Sequence, residues 1–161
     1  MKLLKKLCMA TLIAFVLPQS NAGQWYSVAT TDKTLVLIDI DTVKKHGNTT
    51  DFWWTFINVD PKLKYDTKLM RVSMKCEEDT FSIHNSVMYL NGKFQNQVNL
   101  NINSEYVLPG SIISLAQKTV CGAKVKDNYW PSLKNLDSPS MVAIELKPLL
   151  RAYFKSLGSK K

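Results

Sequence analysis

The sequence lacks the motifs and most of the residues on which common enzyme classes depend. It has two histidines, His46 and His84, in 161 residues, and it contains no G-x-S-x-G, H-E-x-x-H or phosphate-cradling glycine loop. Three cysteines are present, and a cysteine pair with so few histidines is a poor ligand set for zinc. These absences predict a non-enzymatic protein without catalytic residues, metal site or cofactor. A serine nucleophile stays open as an alternative, because triads assemble from residues that are distant in sequence.

A long apolar run is missing as well. Residues 7–17 are mostly apolar, but a bilayer span needs roughly 18–20 residues, so a transmembrane anchor is the weaker interpretation. This run follows Lys2, Lys5 and Lys6 and is followed by small residues that end at Ala22. Basic, apolar and small-residue segments in this order predict a cleavable signal peptide over the first 22 residues, and therefore an exported protein.

The charge of the mature chain is modest. The full sequence has 21 Lys+Arg and 13 Asp+Glu, net +8, and the signal removes three lysines, which leaves 18 minus 13, or +5. The lysines are scattered rather than gathered in a patch with aromatic residues between them, so nucleic acid is not predicted as a partner.

Two cysteines remain after the signal is removed. Cys8 lies too close to the preceding lysines to be a lipoprotein cysteine, and no lipobox or lipid anchor is predicted. Cys76 and Cys121 form an even pair in an oxidising compartment, and this predicts one disulfide. Two separate thiols or a metal-binding pair are the alternatives.

Apolar and polar residues alternate in the manner of strands over the first two-thirds of the mature chain. Six strand segments are predicted: residues 25–29, 34–41, 51–59, 67–76, 80–90 and 93–102. Asn91-Gly92 is a strong hairpin signal, because both positions of a type I′ turn need positive φ. Ser111 and Gly122 bracket a helix with one apolar stripe. The predicted fold is α+β, an antiparallel β-meander of about six strands with one helix tethered to the sheet by the disulfide, plus a C-terminal extension.

The C-terminal extension changes character. Residues 124–140 are polar and predict a loop, and residues 141–146 fit a strand. Residues 148–157 predict a short amphipathic basic helix with Pro148 in its first turn. An isolated helix of about ten residues is marginal in water. It therefore needs its own sheet, a protein partner or a membrane surface to cover its apolar stripe.

Two groups of residues are candidates for binding. Trp53 and Trp54 point to opposite faces of a strand that is apolar on both sides, and they belong either to the core or to a binding platform. In the last predicted strand the apolar residues face inward, namely Phe94, Val98, Leu100 and Ile102. The alternating polar row faces outward as a solvated face or a docking edge, namely Gln95, Gln97, Asn99 and Asn101. His84 is predicted on the polar side of its strand.

The order of these elements resembles the surface-adhesin protein E family of Gram-negative bacteria. The resemblance covers about residues 24–122 and is carried by Trp25-Tyr26-Ser27-Val28, Leu37-Ile38-Asp39, Trp53-Trp54, Met74-Lys75-Cys76, Pro109-Gly110-Ser111 and Val120-Cys121. It implies a domain over residues 23–122 with an antiparallel sheet and a disulfide-tethered helix. Residues 123–161 are an extension that the resemblance does not cover.

The resemblance also implies a function. It points to a non-enzymatic module that binds a protein partner, either a host matrix or plasma protein or a component of the envelope. The chain is expected in the periplasm, secreted or at the cell surface, and without a transmembrane helix once the signal is cleaved. A homodimer stays open. The alternatives are a periplasmic assembly or structural partner and, less favoured, a periplasmic hydrolase of unfamiliar type.

Overall fold

The computed structural model describes residues 24–31, 33–122 and 139–158. The predicted signal peptide and most of the predicted loop over residues 124–140 lie outside them. Within the described residues there are six strands and two helices: β1 Trp25–Thr30, β2 Thr34–His46, β3 Thr49–Asn58, β4 Thr67–Lys75, β5 Thr80–Leu90, β6 Lys93–Tyr106, α1 Ile112–Cys121 and α2 Pro139–Gly158. The predicted α+β class is confirmed.

The strands form one antiparallel meander. Their order in the sheet is β1-β2-β3-β4-β5-β6, so each strand pairs with its neighbour in sequence. The predicted hairpin joins β5 to β6, where Asn91 and Gly92 have φ of 50° and 76°. Both values lie in the left-handed region that a type I′ turn requires. β1 and β6 are the two edges.

The sheet carries an apolar cluster on each face, because both faces are covered in part by a helix. Successive residues of a strand point to opposite faces, and residues 35–38 of β2 are buried on both. Val36 and Ile38 pack in one cluster with α1, and Leu35 and Leu37 pack in a second cluster with α2. We call these two sides the α1 face and the α2 face.

The disulfide attaches α1 to the sheet, as predicted. Cys76 directly follows β4, and Cys121 is the last residue of α1; they form a bond that closes a separation of 45 residues. Ser111 caps the helix by accepting a hydrogen bond from the Ser114 backbone N–H at 3.3 Å. Gly122 ends it with a bond from its N–H to the Lys118 carbonyl at 3.2 Å.

The prediction for the extension was wrong in its details. Residues 141–146, predicted as a strand, belong to α2, and Pro148 lies inside this 20-residue helix rather than in its first turn. The buried residues of α2 recur at helical spacing, namely Val142, Ala143, Leu146 and Leu150. Pro148 lies on the exposed side of the helix and has no backbone N–H to donate to a preceding carbonyl. In the described part of the chain no helix has the length and apolarity of a membrane span.

A buried ion pair fixes α2 on its own sheet. Lys147 Nζ lies 2.6 Å from Asp66 Oδ2, and the two side chains are 13% and 6% exposed. Burial alone would raise the pKa of Asp66, but hydrogen bonds from Lys147, the Asn91 backbone N–H and Thr67, together with the Lys147 charge, hold it below its ordinary value. One side of α2 is covered by the sheet, namely Val142, Ala143, Leu146 and Leu150, whereas Leu149 and Tyr153 stay exposed.

Candidate functional site

A bulge in β2 shapes the surface beside Trp53. Asp39 pairs with Trp53 and Lys44 with Asp51, so the four residues between Asp39 and Lys44 have only one residue opposite them. Thr42 in this bulge takes the place of a strand partner: its hydroxyl accepts a hydrogen bond from the Trp53 N–H at 3.1 Å and donates to the Asp39 carbonyl at 2.7 Å. The bulge thereby satisfies the backbone of β3 while it opens a concavity next to the indole ring.

The strand register brings four side chains from four strands into one row on the α2 face. Trp53 pairs with Arg71, Arg71 with Asn85, and Asn85 with Asn99. With strands about 4.8 Å apart, this row extends roughly 14 Å across the sheet. The apolar cluster under α2 lies on the other half of the same face, whereas Arg71 and Asn99 are exposed. We call the part of the α2 face that carries this row the open half-face.

A hydrogen-bonded chain runs beside the row. The Ser73 hydroxyl donates to Asp51 Oδ1, and Ser73 Oγ lies 2.6 Å from His84 Nε2. Since an ionised carboxylate only accepts, the single Ser73 proton points to Asp51, and His84 is the donor to Ser73. In a Ser-His-Asp triad the imidazole stands between the other two groups and accepts the serine proton. Here the serine stands in the middle, so this arrangement gives Ser73 no general base from His84.

The concavity beside Trp53 has a volume of about 500 Å³. Its lining includes the side chains of Asp41, Lys44, His46, Asp51, Trp53 and Arg71, with Thr42 and Phe52. Asp39, at the start of the β2 bulge, is half-buried. Burial raises the pKa of Asp39, the hydrogen bond from the Asp41 N–H lowers it, and the Asp41 charge raises it further. Within the described residues no group of three or more potential metal ligands is found.

The predicted binding residues have separate locations. Trp54 lies in the core on the α1 face at 5% exposure, so the prediction that placed it among the binding residues has no support in its position. Trp53 is half-buried and lines the concavity. Gln95, Gln97, Asn99 and Asn101 are all exposed on β6. The register brings Trp53 and Asn99 together on one face, which strand periodicity alone did not indicate.

β6 departs from regular alternation. Its register with β5 shifts at three places, near Gln95, Asn101 and Ser104, and the last two residues have φ of 47°. Phe94, predicted to face inward, is 59% exposed. Bulges turn an edge away from strand pairing, and they also shift alternate residues from one face to the other. The outward row of amides is therefore interrupted rather than continuous.

Sequence reasoning missed Arg71, Ser73 and Asn85 as members of a site. The pattern placed Arg71 and Ser73 correctly on one side of β4, and it placed His84 on a polar face. Alternation within one strand does not indicate which residues of a neighbouring strand lie opposite. Only the cross-strand register shows that these side chains meet. The extra residue at His84, between Ile83 and Asn85, is a bulge that no sequence signal marks.

No protein-family model, no curated protein and no solved structure matches this chain.

Proposed function

We propose that the chain is an exported, non-enzymatic module that binds a protein partner through the open half-face. The observation that carries the proposal is the row Trp53, Arg71, Asn85 and Asn99 on the part of its face that α2 leaves uncovered. The resemblance to surface-adhesin protein E suggests the partner class, a host matrix or plasma protein.

The composition of the row supports a binding surface. Tryptophan and arginine are enriched among the few residues that dominate interface energies. Trp53 has a rigid ring at low entropic cost, and Arg71 has five N–H donors with no carboxylate within ion-pair distance in the described part of the chain. Asn99 adds an exposed amide group that donates and accepts, whereas the Oδ1 atom of Asn85 is buried. The bulged edge of β6 makes strand addition the less suitable mode, so the face rather than the edge is the proposed contact.

Binding to a panel of matrix and plasma glycoproteins tests the proposal. The mature chain, residues 23–161, is passed over each immobilised protein and the dissociation constant is measured by surface plasmon resonance. Trp53→Ala and Arg71→Ala should each weaken binding at least about tenfold. Tyr153→Ala, a matched aromatic change on the exposed side of α2, should leave it unchanged. Equal binding by all variants, or none by the wild type, contradicts the proposal.

Location is tested separately. Fractionation of the producing cell with protease digestion of intact cells distinguishes a surface or secreted module from a periplasmic one. A chain found entirely in the periplasm and protected from protease would favour an envelope assembly partner over an adhesin.

A hydrolase is the second candidate, because Ser73 lies within hydrogen-bond reach of His84. A fluorophosphonate probe labels activated serines, and we expect no labelling of the mature chain since the Ser73 proton is directed to Asp51. Labelling that is lost in both Ser73→Ala and His84→Ala would establish the hydrolase instead.

A further inference from the structure

We infer that the concavity beside Trp53 is a saccharide-binding site, and that the partner is recognised through its glycan. The inference rests on the proposed binding role of the open half-face and specifies the ligand. The volume of about 500 Å³ lies within the usual range of small-molecule sites, about 300–1,000 Å³. Trp53 lines it as a half-buried side chain, and an indole ring is a fitting platform for the C–H face of a pyranose, since both surfaces are flat and apolar.

The charges of the lining balance. Lys44 and Arg71 stand against Asp41 and Asp51, two positive against two negative side chains. The two carboxylates would repel a phosphate or another simple anion, and Lys44 and Arg71 would repel a metal cation. A purely apolar ligand would remove these groups from water without giving them partners, at a large cost in free energy. The site therefore suits a neutral polar ligand.

The hydrogen-bonding groups have spare capacity of both kinds. Asp41 Oδ2 accepts from the Gln24 N–H at 3.0 Å, and Asp51 Oδ1 accepts from Ser73. A carboxylate has about four acceptor positions, so both acids can accept further bonds. A sugar hydroxyl donates and accepts at once, and neighbouring hydroxyls can donate to a carboxylate while they accept from the Arg71 guanidinium. This combination of an aromatic ring with planar donors and acceptors is what polyhydroxylated rings require.

Defined oligosaccharides test the site directly. Lactose, maltotriose and triacetylchitotriose are titrated against the mature chain by saturation-transfer NMR and tryptophan fluorescence, with inorganic phosphate as the anionic comparison. At least one oligosaccharide should bind saturably, and Trp53→Ala and Asp51→Asn should each weaken it at least about tenfold. Asp51→Asn is nearly isosteric and keeps an acceptor for Ser73, so it remains informative if Trp53→Ala folds poorly. Tyr153→Ala should bind as the wild type does. Absence of oligosaccharide binding, or binding that neither variant weakens, overturns the inference.

Enzymatic deglycosylation separates this inference from the proposed function. Removal of glycans from the captured glycoprotein should weaken its binding at least about tenfold. If capture persists after deglycosylation and still requires Trp53, the open half-face binds protein and the saccharide inference fails alone. If neither native glycoproteins nor oligosaccharides bind, both fail. Co-sedimentation with purified cell-wall sacculi, dependent on Trp53, would identify an envelope polysaccharide rather than a host glycan as the source.

Discussion

At the scale of single residues, neighbours in sequence have unlike roles. Trp53 and Trp54 were predicted to point opposite ways, and they do, but which of them lies inside could not be predicted because both faces of β3 are apolar. The answer depends on where the helices lie: α1 packs in the cluster that contains Trp54, whereas α2 leaves the end of the sheet near Trp53 uncovered.

Alanine substitutions of Trp53 and Trp54 should therefore lower the free energy of unfolding by unequal amounts. Trp54→Ala should lower the free energy of unfolding by about 3–5 kcal/mol, because it leaves a cavity in the core. Trp53→Ala should cost about 1 kcal/mol or less, as expected for a partly exposed position. Urea unfolding followed by circular dichroism measures both. Similar losses for the two variants would contradict the assignment of Trp53 to the surface.

Asp66 and Asp39 should respond in opposite ways to substitution by asparagine, because their charges have opposite effects on the stability of the fold. The pKa of Asp66 is held below its ordinary value of 3.8, so its charge stabilises the fold at neutral pH and this stabilisation is lost as pH falls through the folded-state pKa. The pKa of Asp39 is raised above 3.8, so its charge destabilises the fold, and the effect disappears as pH falls below the unfolded value.

Asp66→Asn should accordingly lower the melting temperature at pH 7, and Asp39→Asn should raise it. Both differences should shrink as the pH is taken from about 7 to about 3. Differential scanning fluorimetry across this range measures them. Shifts in the same direction at pH 7 would contradict the environments described for the two groups.

At the scale of elements, strand periodicity located all six strands but not their irregularities. In β5, Ile83 pairs with Val72 on the α1 face while Val87 pairs with Leu69 on the other face, because His84 is inserted between them. The bulges of β6 have the same effect. A bulge adds one residue to a strand, and no residue type in the sequence marks its position. The residues after the bulge therefore point to the face opposite to the one that regular alternation predicts.

Helix α2 shows a second limit of periodicity and gives a matched prediction. Its apolar run at residues 141–146 fits either a strand or a helix, and the contact with the sheet decides between them. Leu146 is 1% exposed and Leu149 is 57% exposed. Leu146→Ala should therefore lower the unfolding free energy by about 2–5 kcal/mol, and Leu149→Ala should change it by no more than about 0.5 kcal/mol. Chemical denaturation of both variants measures this, and equal effects would mean that α2 is not docked as described.

At the scale of the whole molecule, the sequence predicted the meander, the first helix and the disulfide, because each has a local signal. It did not predict that α2 would cover the opposite face of the sheet from α1. That placement follows from long-range contacts, above all Lys147 with Asp66 and the apolar contacts of α2 with Leu35, Leu37 and Ile57. The open half-face exists because α2 covers only part of its side, and so the site could not be assembled from the sequence.

We expect the disulfide to contribute a large share of the stability of the fold. Its removal in a Cys76→Ala, Cys121→Ala double variant should lower the unfolding free energy by roughly 4 kcal/mol, since the bond closes a loop of 45 residues in the unfolded chain. Mass spectrometry without reductant should find both thiols blocked in the mature wild type. Two free thiols there would contradict the described link between α1 and the sheet.

The most direct test of the open half-face as a binding surface is hydroxyl-radical footprinting by mass spectrometry. The mature chain is oxidised alone and with a saturating amount of a glycoprotein that it captures. The side chain of Trp53 should lose reactivity at least about fivefold on binding, because the partner covers it, whereas Tyr153, 48% exposed on α2, should keep its reactivity. Unchanged reactivity of Trp53 together with protection of Tyr153 would place the partner on α2 and contradict the proposed surface.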